Sequence, residues 1–256
     1  MGTDIKENTQ RLRLAVAITV REHGWVGLIR AMPRYVLRVT RLSRRPKGAP
    51  AESEPIIEDV LLKFMLENVK RGSVIYDCGA HIGLYAITLA TKIPGCRVYA
   101  FEPNPAAYAE LVRRIEAARL SSVVKPIKAA LDESCGVRKF YISSEPCRCS
   151  LSQYNAVFRG NQVTSTIDVV CYSVDQLVDT GLCEAPDVIK IDTEGNEHRV
   201  VFGARKTIAS RCPTIYFEPH GINGEDIKTS QPICELLSSL NYEIRSLGYP
   251  MWAYKE

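Results

Sequence analysis

Acids close several of the apolar runs in this chain, and that placement is where chemistry could be done. Val-Ile-Tyr ends on Asp77, Arg-Val-Tyr-Ala-Phe on Glu102, Ile-Lys-Ile on Asp192, and Thr-Ile-Tyr-Phe on Glu218. Asp77 leads directly into a glycine turn, Gly79-Ala-His81-Ile-Gly83. Glycines let a backbone turn sharply and approach a ligand that a Cβ would hold off. Glu102 then ends the second run, where an acid accepts hydrogen bonds from both ribose hydroxyls of an adenosine. A nicotinamide or flavin dinucleotide would rest its pyrophosphate on a G-x-G-x-x-G turn at a helix N-terminus. Here the middle glycine is missing and Asp77 would repel a pyrophosphate. S-adenosylmethionine carries an amine and a sulfonium, so it suits the acid and is the expected cofactor.

The stretch Asp192-Thr-Glu194-Gly195-Asn-Glu197-His198 follows its apolar run with two carboxylates, a glycine turn, and an acid and a histidine opening a helix. Ligands of open α/β sheets lie beyond the carboxyl ends of the strands, so Asp192 and Glu194 should face the same crevice as Gly79. Glu197 reads as a helix N-terminal acid that suits the macrodipole. His220, after Glu218-Pro219, is a candidate base toward a hydroxyl, since a free imidazole titrates near neutrality; alternatively it is a polar turn residue. Asp192, Glu194 and His220 are thus the catalytic candidates, with no order among them. Asp192, Glu194, His198, Glu218 and His220 could also gather around a divalent cation. Their spacing prescribes no coordination geometry, however, and no metal is expected. Cys147-Arg-Cys149 is too tightly spaced for a zinc knuckle and has no answering pair.

The elements that must position these residues alternate. A helix is expected over 54–70, strand 73–77, helix 83–92, strand 97–101, helix 105–118 and strand 123–128. A β-rich insertion with polar turns spans 136–172. Strand 187–191, helix 197–209, strand 213–217, helix 231–239 and a terminal pair, 242–246 and 250–254, complete the chain. Strands alternating with helical patterns mean a mostly parallel sheet.

Together these motifs resemble the FkbM-type family of class I S-adenosylmethionine-dependent methyltransferases. Val-Ile-Tyr-Asp77-Cys-Gly79-Ala-His81-Ile-Gly83 is similar to the first motif of that family. Val-Tyr-Ala-Phe-Glu102-Pro103-Asn104-Pro105 is similar to its second. Ile-Lys-Ile-Asp192-Thr-Glu194-Gly195-Asn-Glu197, with Val-Phe-Gly203-Ala, is similar to its most distinctive signature. The match covers roughly residues 55–220. The resemblance implies a Rossmann-like α/β fold whose seven-stranded, mostly parallel sheet has a reversed terminal hairpin. It further implies methyl transfer to a hydroxyl, often on a sugar or a natural-product scaffold. On the same basis the cofactor lies across residues 77–83 and 102–104. Gly79, His81 and Gly83 then line its methionine side, Glu102 its ribose, and the Ala130 region lies near adenine.

With 256 residues, the chain suits one large α/β domain over 51–256 and a basic helical appendage with a linker over 1–50. Residues 1–50 hold 11 Lys/Arg and 3 Asp/Glu, a balance of +8, whereas the other 206 residues hold 22 and 26, a balance of −4. Within 8–45, Arg30, Arg34, Arg38, Arg41 and Arg45 recur at helical spacing beside an apolar face. That segment suits either a peripheral contact with an anionic membrane surface or a helical lid on the core. Nucleic acid is not an expected partner, because the domain itself is acidic and lacks a basic stripe with interleaved aromatics. The nine cysteines are an odd count, several inside apolar runs, which suits a reducing, cytoplasmic setting. No apolar stretch approaches 18 residues, so no membrane span is expected. Residues 143–165, with Arg148, Tyr154 and Arg159, fall where such folds build a substrate lid, which suits a polar or anionic small-molecule or glycan acceptor. Two other function classes compete: a dinucleotide-dependent oxidoreductase on the same sheet, and an inactive module that binds a membrane or partner through its N-terminus.

Overall fold

The computed structural model describes residues 59–157, 160–220, 230–247 and 250–255. The appendage expected over 1–50 and the start of the helix expected over 54–70 lie outside them. Helix α1 (Val60–Asn68) starts where the Asp59 carboxylate caps the Leu62 N–H at 2.9 Å. There follow β1 (Val74–Cys78), α2 (Leu84–Lys92), β2 (Arg97–Phe101), α3 (Pro105–Ala117) and β3 (Val124–Ile127). Asn104 caps α3, with Pro105 in its first turn, where a missing N–H costs nothing.

These strands join β7 (Val188–Ile191), β8 (Thr214–Phe217), β9 (Glu243–Ser246) and β10 (Met251–Tyr254) in one sheet of order β3-β2-β1-β7-β8-β10-β9. The pairs β1–β2, β2–β3, β1–β7 and β7–β8 are parallel, and β10 is antiparallel to both of its neighbours. This is the expected seven-stranded sheet with its reversed terminal hairpin. The chain winds outward from β1 to β3 and then resumes at β7 on the other side of β1. The order therefore reverses between β1 and β7, and ligands of open α/β sheets bind beyond the carboxyl ends at such a switch point. Every residue of β1 and β7 is buried, as suits central parallel strands.

The insertion forms a second, three-stranded sheet, β4-β6-β5, from β4 (Ala130–Leu131), β5 (Gly136–Ser143) and β6 (Val163–Tyr172), with the short helix α4 (Gln153–Ala156) between its long strands. Ala130, Phe140, Val169 and Cys171 form its small apolar core.

Two expectations are corrected. Helix α5 (Val174–Asp179) was not foreseen, and the helix expected over 197–209 is two, α6 (Glu197–Phe202) and α7 (Arg205–Arg211). The break is tertiary in origin. Asn196 donates to the Leu131 carbonyl at 2.9 Å, and Arg199 pairs with the buried Asp132, which pins α6 to the strand β4 segment. The Gly203 carbonyl accepts the Asp175 N–H at 2.9 Å, and the Asp175 carboxylate caps Lys206 and Thr207 at the start of α7, at 3.0 and 2.8 Å. A Cβ at Gly203 would fall 2.2 Å from the Asp132 carbonyl oxygen. Gly203→Ala should therefore cost about 1–3 kcal/mol by overpacking, lowering Tm in thermal denaturation by roughly 2–12 °C.

Candidate active site

The first turn leaves β1 with Gly79 at φ +81°, His81 at +49° and Gly83 at +90°. The Gly79 and Ala80 N–H groups both donate to the Phe101 carbonyl, at 3.1 and 2.9 Å, which ties the turn to the end of β2. Glu102 completes that tie by accepting the His81 and Asn104 N–H groups, each at 2.7 Å. Burial pushes the Glu102 carboxyl up to about 7, against the pull of those two hydrogen bonds. Pro103 is buried behind it. The Asn104 side chain caps α3 through the Ala106 N–H at 3.0 Å and lies 3.3 Å from the Cys149 sulfur of the insertion. Burial lowers the His81 pKa. Ala130 is buried three residues beyond β3, paired with Cys171.

Asp77 lies beneath the turn rather than open to it. It is fully buried, accepts the Ala86 N–H at 3.1 Å, and pairs with the Lys190 ammonium at 3.1 Å. Its charge is thus met from inside the protein, so the attraction of a cation to a free acid at this position is weaker than the sequence suggests. Both glycines of the turn are required by the protein's own packing. A Cβ at Gly79 would fall 2.0 Å from the Asp192 carbonyl oxygen, and one at Gly83 would fall 2.6 Å from a Leu111 methyl. The glycine turn and the Asp192 turn are therefore in backbone contact.

At that second turn Asp192, Glu194, Glu218 and His220 converge. The His220 Nε2 lies 3.7 Å from Glu194 and 3.9 Å from Asp192, while its Nδ1 lies 3.1 Å from Glu197. Asp192, Glu218 and His220 each present one donor atom within 4.8 Å of the others, which unites three of the five residues considered for a cation; Glu194 and His198 stand outside that group. His198 packs its ring edge-on against Phe202. Glu194 sits at φ +53°, with its carbonyl accepting Ser150 Oγ and Asn155 Nδ2, both at 2.7 Å. Its carboxylate lies 3.4 Å from Arg148. Gly195 has no room for a Cβ, which would meet the Asn155 amide.

Two residues carry more than their sequence context indicated. Glu197 is the expected first-turn acid of α6, yet it is 0% exposed and also accepts the Thr193 and Gly195 N–H groups at 3.0 Å. Against the upward push of burial, His220 and the Gly195 N–H hold its carboxyl below the ordinary range. In return Glu197, with Glu194 and Asp192, raises His220 to about 10 despite burial. That shift favours the protonated imidazole over the near-neutral base expected at His220. Burial lifts Glu194 to about 6, and burial with the Asp192 charge lifts Glu218 to about 7. The second residue is Lys190, buried in the middle of Ile-Lys-Ile. A lysine inside an apolar strand is the signal that could have found it, because lysine is almost never fully buried unpaired.

This fold, with a glycine turn and acidic strand ends around one switch-point crevice, is that of a class I S-adenosylmethionine-dependent methyltransferase. Residues 77–249 match the methyltransferase FkbM domain, and the chain belongs to that family. The hexuronic acid methyltransferase AglP of Haloferax volcanii is 30% identical over 171 residues, covering 66% of this chain and 66% of AglP. The match thus spans just under two thirds of that relative's length. The 31-O-demethyl-FK506 methyltransferase FkbM of Streptomyces tacrolimicus is 27% identical over 180 residues, covering 61% of this chain and 68% of that one. Among solved structures, the methyltransferase FkbM of Methylobacillus flagellatus KT superposes with a TM-score of 0.50 at 18% identity, covering 71% of this chain and 43% of the other; that likeness concerns the fold. Family membership sets aside the dinucleotide-dependent oxidoreductase. Among the described residues no helix is long and apolar enough to cross a membrane.

Two outcomes follow from this geometry. Gly79→Ala, strained by its φ and by the Asp192 carbonyl, should weaken S-adenosylmethionine binding by at least about tenfold in calorimetry while the far-ultraviolet spectrum stays that of the folded chain. The second concerns pH. A histidine raised from 6.5 to about 10 stabilises the fold fully below 6.5 and loses that contribution as pH climbs through 10. Tm should fall from pH 7 to 10, and His220→Gln should flatten that slope; equal slopes would contradict the Glu197–His220 pairing.

Proposed function

We propose that the chain transfers the methyl group of S-adenosylmethionine to a hydroxyl oxygen of a sugar, glycan or natural-product-like acceptor. The observation that carries this reading is the backbone contact between the glycine turn and Asp192, which sets a carboxylate and the His220 Nε2 beside the cofactor cradle. The bound cofactor supplies an electrophilic methyl carbon. Asp77 supports the turn from beneath. Gly79, His81 and Gly83 border the methionine end, Glu102 with Pro103 and Asn104 the ribose, and Ala130 the adenine. His220 donates from Nε2 to orient the acceptor oxygen, and Glu197 holds its ring. Asp192 takes the hydroxyl proton as the C–O bond forms, the methyl–sulfur bond breaks and its electron pair stays on sulfur. Glu194 supports Asp192 from the insertion side. Positioning alone supplies much of the acceleration in such a displacement.

The relatives support the acceptor class, one being named for a hexuronic acid and the other for 31-O-demethyl-FK506. Arg148, beside Glu194, adds a cation to the acceptor side. The test is full-chain protein with methyl-labelled S-adenosylmethionine and a panel of uronic-acid glycans and hydroxylated polyketides. A new methoxy signal with one equivalent of S-adenosylhomocysteine is expected, and Asp192→Asn should lower kcat by about 100-fold or more. Calorimetry showing heat with NAD and none with S-adenosylmethionine, or unchanged turnover of Asp192→Asn, would overturn the reading or that residue's part in it.

A further inference from the structure

Lys190 is 2% exposed, yet its ammonium is the meeting point of three segments. It lies 3.1 Å from the Asp77 carboxylate of β1, 3.4 Å from the Gly79 carbonyl of the glycine turn and 3.6 Å from the Asp192 carboxylate. The β1–β7 register explains the meeting: Lys190 stands directly opposite Asp77, and Asp192 follows two residues later on the same face of the chain. An ammonium has three N–H donors and no acceptor, and three oxygens from three different segments surround this one. The Tyr85 ring closes the remaining side, its face 4.5 Å from the nitrogen. Tyr85 is itself fixed by Asp59, whose two carboxylate oxygens both lie 2.8 Å from its hydroxyl.

Stability alone is a weak reason for such an arrangement. Desolvating two ions costs several kcal/mol each, and apolar residues of similar volume often serve a core as well or better. The ammonium does what a hydrophobe could not. It fixes a carbonyl of the cofactor turn and a carboxylate of the acceptor turn relative to each other. A compact point charge suits this, where the planar, wider guanidinium of arginine would not.

We infer that Lys190 is a positioning residue of the methyl-transfer site, setting the Gly79 carbonyl and the Asp192 carboxylate in one fixed relation so that cofactor and acceptor turns are held as a unit. This rests on the proposed role of Asp192. Because Lys190→Met alone would leave Asp77 buried and unpaired, the test pairs it with Asp77→Asn, removing both charges together. Affinity for S-adenosylmethionine is measured by calorimetry, and the His220 imidazole resonances by NMR, on the full chain. The Asp77→Asn/Lys190→Met protein should bind at least about tenfold more weakly and show displaced His220 resonances, since Asp192 beside His220 is released. Asp77→Asn/Lys190→Gln, whose amide still donates to the Gly79 carbonyl, should recover affinity to within about threefold of wild type but keep the displaced resonances. A folded Met variant with wild-type affinity and wild-type His220 resonances overturns the inference. If the Met variant unfolds, wild-type His220 resonances in the Gln variant overturn it equally. Failure of the wild-type chain to bind S-adenosylmethionine would instead strike the proposed function.

Discussion

Negative charge crowded at one edge of a sheet is the constraint around which this protein is built. Asp77, Asp192, Glu194 and Glu218 lie at the carboxyl ends of β1, β7 and β8 or on the loops that leave them, and Glu197 opens helix α6 just beyond β7. Uncompensated, that many carboxylates in a partly desolvated crevice would take up protons or force the strand ends apart. Compensation comes in two layers. Lys190 answers the buried layer, Asp77 and the inner side of Asp192, from within the sheet. His220 meets the upper layer, its Nδ1 against Glu197 and its Nε2 toward Asp192 and Glu194. Burial first, and the neighbouring Asp192 charge second, leaves the carboxyl pKa values of Glu194 and Glu218 raised.

The insertion belongs to the same balance. Ser150 and Asn155 both spend their donors on the Glu194 carbonyl, which keeps a non-glycine residue in the left-handed region. Such a conformation persists only where the surroundings over-determine it. Arg148 then meets the Glu194 carboxylate. The small β4-β6-β5 sheet is thus fastened to the acidic turn at the backbone, not merely laid over it.

Much of this was legible in the sequence, for reasons that differ by residue. Acids ending apolar runs located the crevice, because the carboxyl ends of parallel strands are where such folds expose polar groups. The seven-stranded order came from the family resemblance rather than from periodicity. Helix α5 had a legible signal: Ser173-Val-Asp-Gln176 has the spacing of a capping box, and the Ser173 hydroxyl does accept the Gln176 N–H at 3.2 Å. The break between α6 and α7 had none, since Gly203 ends a helix there only because Asp132 and Asp175 press on it from distant segments. The same holds for His220. Its imidazole reads as neutral until the fold places a fully buried glutamate against Nδ1, and no spacing in the chain announces that contact.

The raised His220 pKa bears on how the proposed methyl-transfer cycle would run at this edge. A sulfonium arrives as a cation at a crevice whose carboxylates outnumber its internal cations, so the field favours its entry. In the proposed reaction, transfer would convert the sulfonium to a neutral thioether and one carboxylate to a neutral acid. The attraction that favoured entry is therefore removed by the reaction itself. In the proposed cycle an imidazolium held at constant charge would serve better than a titrating one, because it would orient the acceptor oxygen in each turnover without changing its own charge.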